Sequence, residues 1–122
     1  MPFKFEKLKV WLLSMDLSEE VNSLTERFPS KELFNLSSQI RRAADSVSLN
    51  IAEGSSASTN PEQARFLNIA VRSCSEVVCC LYKAQRRNYL KNAEFHVLYS
   101  KYDKLVAQLQ SLRNFLLRIK PS

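Results

Sequence analysis

Apolar side chains return at every third or fourth position through almost the whole chain, the signature of helices that each bury one face. Leu8, Trp11, Met15, Leu17, Val21, Leu24 and Phe28 mark a first helix over roughly 6–28, ended by Pro29. Leu36, Ile40, Ala43, Val47 and Ile51 share one face of a second over about 36–54, and Gly54 supplies its C-terminal stop. Ser55 to Asn60 is the one low-complexity stretch and reads as a solvated turn. Asn60-Pro61-Glu62-Gln63 opens a third helix, 61–87: asparagine caps, proline suits the first helical position, and Gln63 can reach back as in a capping box. Its inner face carries Phe66, Ala70, Ser73, Val77, Leu81 and Ala84. Asn88 can adopt the left-handed conformation at its end, and Asn92 can cap the next helix.

The fourth segment, 93–120, has the cleanest pattern. Phe95, Leu98, Tyr102, Leu105, Leu109, Leu112, Leu116 and Ile119 alternate spacings of three and four, a heptad seam that favours shallow helix crossing. Short connections between long helices predict an all-α, up-down-up-down antiparallel four-helix bundle, a single domain over residues 1–122.

Composition removes much of the chemistry such a fold could carry. With one glycine in 122 residues, phosphate-cradling loops and dinucleotide fingerprints are excluded. A single histidine, His96, excludes sites built on two or more. A di-iron Glu-x-x-His motif fails because Ala93 stands where Glu is needed. The Arg-x4–6-His pattern of helical ribonucleases fails because Lys91, Leu90 and Tyr89 precede His96 at those spacings. No catalytic residue, metal ligand or cofactor site is predicted. Cys74, Cys79 and Cys80 are odd in number, lack CxxC spacing and fall in a helical stretch, so they read as small buried apolar residues. The charged start Lys4-Phe5-Glu6-Lys7 has no signal-peptide core, and Val10–Leu13 is too short to cross a bilayer. A reducing, cytoplasmic setting without a membrane partner is the expectation.

Charge is unevenly distributed. Residues 1–62 carry seven Lys/Arg against nine Asp/Glu, and residues 63–122 carry eleven against three, giving −2 and +8 within a total of +6. The outer face of the first helix is acidic (Asp16, Glu19, Glu20, Glu26), whereas Arg65, Arg72, Lys83 and Arg87 form a basic stripe on the third, with Glu76 among them. In an up-down bundle, Arg27, Lys31, Lys83, Arg86, Arg87 and Lys91 gather at one end. Three readings compete. These charges are a solvated surface with pairs such as Arg72–Glu76, or a contact for the acidic first helix of another subunit. Alternatively, Arg65, Arg72, Lys83, Arg86, Arg87 and Lys91 bind nucleic-acid phosphates. Helix-turn-helix and RNP-like patterns are absent from the sequence. On the second helix Gln39, Arg42, Ser46, Asn50 and Glu53 form a polar stripe beside the apolar face. It lacks a nucleophile–base pair and reads as hydrogen bonding to another helix or as an oligomer interface.

That helix also carries a specific likeness. Ser38-Gln39-Ile40-Arg41-Arg42-Ala43-Ala44-Asp45-Ser46-Val47, followed by Asn50-Ile51-Ala52-Glu53-Gly54, resembles the signature of the four-helix-bundle proteins encoded by intervening sequences of bacterial 23S rRNA genes, also called the S23 ribosomal protein family. Phe5 to Trp11, Thr25 to Pro29, Phe66 to Ala70 and Tyr89-Leu90 are similar to the same family, so the resemblance covers nearly the whole chain. It implies a homopentameric bundle with a positively charged surface and no established enzymatic activity. A related branch, the accessory variability determinant of diversity-generating retroelements, binds nucleic acid and a reverse transcriptase. The implied function is therefore a non-catalytic oligomer that binds structured RNA or a nucleoprotein complex. The alternative is a scaffold or accessory subunit docking to a partner such as a reverse transcriptase. Asn35 and Asn88 stand where the family often has glycine, and Arg72-Ser73 where it often has Gly-Ser, which places a bulky side chain at a packing or subunit contact. The loop after Gly54 lacks an arginine common in the family.

Overall fold

The computed structural model describes residues 3–119, and helices account for most of them. They are α1 (Lys9–Thr25), α2 (Leu36–Ser55), α3 (Asn60–Arg86) and α4 (Asn92–Arg118), with one-turn 3-10 helices at Lys4–Lys7 and Ser30–Glu32. Among the described residues there is no strand. The periodic apolar positions meet in one core, where Leu17, Val21, Ile40, Ile51, Leu67, Val77, Leu81, Leu105 and Leu109 are fully enclosed. Enclosing a side chain of that size contributes roughly 1.5–3 kcal/mol relative to leaving it in water.

Side-chain contacts link the helices in pairs. Ser46 of α2 meets Ser73 of α3, and Gly54 lies against Phe66. Tyr82 stacks near Phe95 of α4, while Asn68 bonds Arg113. Glu20 of α1 pairs with Lys101 of α4, and Arg27, just past the end of α1, pairs with Glu94. Along each of these three helix pairs the residue numbers of one helix rise as those of the other fall.

Several boundaries differ from those expected. The first helix occupies 9–25 rather than 6–28, because Leu8 is extended (φ −79°, ψ 122°) and cuts off the preceding 3-10 turn. That turn is packed through Phe5, whose ring meets Trp11 edge-on at 4.7 Å. Ser14 and Ser18, rather than Met15, face inward on α1; their hydroxyls donate to the Trp11 and Met15 carbonyls, which meets their hydrogen-bonding need inside the core. Thr59, not Asn60, caps α3: its Oγ1 accepts the Glu62 N–H at 3.3 Å, so the helix begins one residue early. At α4, Glu94 accepts the Lys91 N–H at 3.2 Å, and Asn92 is already helical, its side chain accepting from Gln85. The seam of α4 ends at Leu116; Ile119 lies beyond the helix and is exposed, and Lys120 is outside the described residues.

The glycine and asparagine turns divide. Asn88 has φ 63°, the left-handed conformation expected of it. Asn35 does not, at φ −126°; its side chain instead donates to Glu32. Gly54 is not a left-handed stop either. It lies inside α2 with negative φ, and a Cβ there would stand 2.8 Å from Phe66 Cβ. Its role is the close approach of α2 to α3.

Candidate functional site

The connection between α1 and α2 is held by a buried carboxylate. Pro29 turns the chain into the 3-10 helix, and this places Glu32, 4% exposed, against the turn between α3 and α4. Glu32 Oε2 accepts from Arg87 Nη1 at 2.9 Å and from the Tyr89 hydroxyl at 2.8 Å. Oε1 accepts from Asn35 Nδ2 at 3.0 Å and from the Leu36 N–H at 3.5 Å. The Tyr89 hydrogen bond foremost, then those of Asn35 and Leu36 and the Arg87 charge, hold the carboxyl below its ordinary range despite desolvation. The same bond raises the pKa of Tyr89. The left-handed Asn88 reverses the chain so that Tyr89 returns over the end of α3, its N–H donating to the Ala84 carbonyl and its ring 5.3 Å from Phe28.

Around this clamp the structure brings together much of the basic end anticipated from sequence. Lys31 and Arg87 line a cleft of about 530 Å³ with Glu32, Asn35 and Tyr89. Arg27 and Lys91 line a second, of about 450 Å³, beside Asn88 and Asn92. Lys83 and Arg86 are exposed on the last turn of α3. Arg27 and Arg87 are engaged by Glu94 and Glu32, whereas Lys31, Lys83, Arg86 and Lys91 have no ion-pair partner among the described residues. Arg65 and Arg72 are not part of this group. Arg65 pairs with Glu62 at 2.8 Å in the first turn of α3 and lies over the Phe66 ring. The helical rise puts it about 27 Å along the axis from Lys83. Arg72 is exposed in mid-helix and makes no ion pair with Glu76.

The polar stripe of α2 splits between two environments. Ser73 donates to the Ile69 carbonyl, so the 2.9 Å contact between Ser46 and Ser73 has Ser46 as donor. Asn50 donates to both the carbonyl and the hydroxyl of Ser46. These three residues therefore join α2 to α3 within one chain. Gln39, Arg42 and Glu53 are exposed and make no side-chain hydrogen bond among the described residues.

An open groove of about 720 Å³ lies between α1 and α4, lined by Leu24, Leu90 and Leu98 with Asp16, Glu19 and Glu20. Ser23 also lines it, but no hydrogen bond joins Ser23 to a carboxylate among the described residues. Among the described residues no group of three or more His, Cys, Asp or Glu could hold a metal ion, and His96 is exposed. Among the same residues no helix is long and apolar enough to cross a membrane. Cys74 and Cys80 are buried as expected, but Cys79 is exposed, since the inward face of this part of α3 is taken by Val77, Cys80, Leu81 and Ala84. Burial pushes the Cys74 thiol up to about 12 and, with the neighbouring Cys79 and Glu76, the Cys80 thiol up to about 11.

Four helices around one core, with a clamped basic end, define a small all-α bundle domain. The chain belongs to the family of 23S rRNA-intervening sequence proteins, whose model matches residues 6–111. Its fold is similar to that of a crystallised protein of unknown function from the S23 ribosomal protein family of Bacteroides thetaiotaomicron. The TM-score is 0.79 at 22% identity, over 85% of this chain and 97% of that one. No curated protein matches the sequence.

Proposed function

We propose that this protein is a non-catalytic, cytoplasmic, homopentameric bundle of up-down-up-down antiparallel topology whose basic end binds structured RNA. The observation that carries the RNA reading is a set of exposed cations, Lys31, Lys83, Arg86 and Lys91, without ion-pair partners among the described residues. They surround an end whose other cations are held in place by Glu32 and Glu94. Exposed cations on a fixed backbone attract phosphate without sequence preference. Membership of a family tied by its name to 23S rRNA-intervening sequences supports the same direction. The opposed residue numbering along three helix pairs supports the topology. The exposed Gln39, Arg42 and Glu53 of α2 offer polar groups to a neighbouring subunit.

The test is neutralisation of these exposed cations. Arg87 is left intact, because removing it would leave the buried Glu32 carboxylate without its charge partner. A Lys83→Ala, Arg86→Ala, Lys91→Ala variant is expected to bind an RNA hairpin more weakly. The slope of log K against log salt should flatten by about 0.7–0.9 for each phosphate no longer neutralised. Unchanged affinity and slope would sink the assignment of this end.

A further inference from the structure

Phe34 is 93% exposed, the most exposed large apolar side chain among the described residues; Leu49 follows at 67%. A scattered surface apolar residue needs no explanation. Phe34 differs in its setting. It lies in the short connection that Glu32 fixes, between two residues, Glu32 and Asn35, that are bonded to each other. Leu36 is tied to the same carboxylate through its N–H, and Arg87 and Tyr89 hold it from the opposite turn. Glu32 is buried and Asn35, itself exposed, bonds to it, whereas Lys31 and Phe34 both stand in solvent. The result is a solvent-facing aromatic ring three residues along the chain from the exposed Lys31, on a backbone held between Glu32 and Asn35, which line the cleft that Lys31 shares with Arg87.

We propose that Phe34 is a stacking platform for one unpaired nucleobase, with Lys31 taking the adjoining phosphate. This rests on the RNA reading above and narrows it to RNA with a single-stranded loop, bulge or end at this site. The chemistry is that of single-strand recognition, in which aromatic rings carry bases whose π-faces a duplex keeps covered, while cations track the backbone. Helix formation does not require the ring, and the clamp removes much of the entropy that a mobile loop would lose on binding.

The experiment is a fluorescence-anisotropy titration of the full chain with a labelled oligoadenylate and, separately, a labelled RNA hairpin with a paired stem. Phe34→Ala is expected to lose roughly 5- to 150-fold in affinity for oligoadenylate, the effect of removing one stacked base. Its salt slope stays unchanged, because the ring neutralises no phosphate. Phe34→Trp is expected to retain binding, and its added fluorescence to be quenched as adenine stacks. Lys31→Ala is expected to weaken binding too, but, unlike Phe34→Ala, to flatten the slope by about 0.7. If wild type binds with strong salt dependence and Phe34→Ala binds oligoadenylate equally well, the stacking site is overturned while the basic end survives. If Phe34→Ala shifts the oligomeric mass on light scattering, the ring covers a subunit contact, which also overturns it. If wild type binds neither RNA at low salt, the RNA reading itself fails and takes this site with it.

Discussion

Replacing Gly54 by alanine sets two opposing effects against each other at one atom. In an ordinary helical position the change stabilises by about 1 kcal/mol, because glycine loses more backbone entropy on folding. Here the new Cβ would stand 2.8 Å from Phe66 Cβ and 3.3 Å from the Gln63 carbonyl oxygen. Neither atom is the free end of a flexible side chain, so α2 and α3 must separate. Overpacking of this kind costs roughly 1–3 kcal/mol. The steric effect wins, and the expected outcome is a net loss of about 1 kcal/mol, read as a melting midpoint about 4 °C lower for a chain of this length. Thermal and urea unfolding followed by circular dichroism measure it. Phe66→Ala should not rescue the variant, since alanine keeps the obstructing Cβ. A Gly54→Ala protein about 1 kcal/mol more stable than wild type would show instead that the two helices have room for the Cβ.

Two further outcomes follow from the same packing. The Glu32 carboxyl lies below its ordinary value of 4.5 in the folded chain. Its contribution to stability is therefore present above 4.5 and lost as pH falls through the lower folded value. Glu32→Gln is expected to be less stable than wild type at neutral pH, with the gap narrowing in acid as wild-type Glu32 protonates; a gap independent of pH would contradict the clamp. For the cysteines, a thiol reagent should label Cys79 rapidly in the native protein and reach Cys74 and Cys80 only on unfolding, since both are buried with raised pKa values. Native labelling of all three at one rate would count against the packing of α3.

The helices were legible because burial follows period. Leu98, Tyr102, Leu105, Leu109 and Leu116 are all buried in α4, as their spacing requires. Asn88 was legible for a local reason, its tolerance of positive φ. Local rules failed at Gly54, where what matters is the distance to Phe66 on another helix. They failed at the start of α3 by one residue, since Thr59 and Asn60 are both competent caps and neighbouring geometry selects between them. The basic end was visible as charge, but its organisation was not. Glu32 has its partners 55 and 57 residues away, a separation to which no periodicity refers. The polar stripe on α2 shows the same boundary: spacing put Ser46 and Asn50 on one face, and only the position of Ser73 reveals that α3 receives them.

The proposed function is a basic, oligomeric bundle that binds RNA through its phosphates. Its most direct test is a titration of a structured RNA against protein stripped of carried-over nucleic acid, at two salt concentrations, with the mass of free and bound protein followed by light scattering. A stable pentameric mass, tight binding at low salt, and affinity that falls steeply as salt rises are the expected results. Absence of binding at low salt would contradict the proposed function, returning Lys31, Lys83, Arg86 and Lys91 to the role of solvated surface.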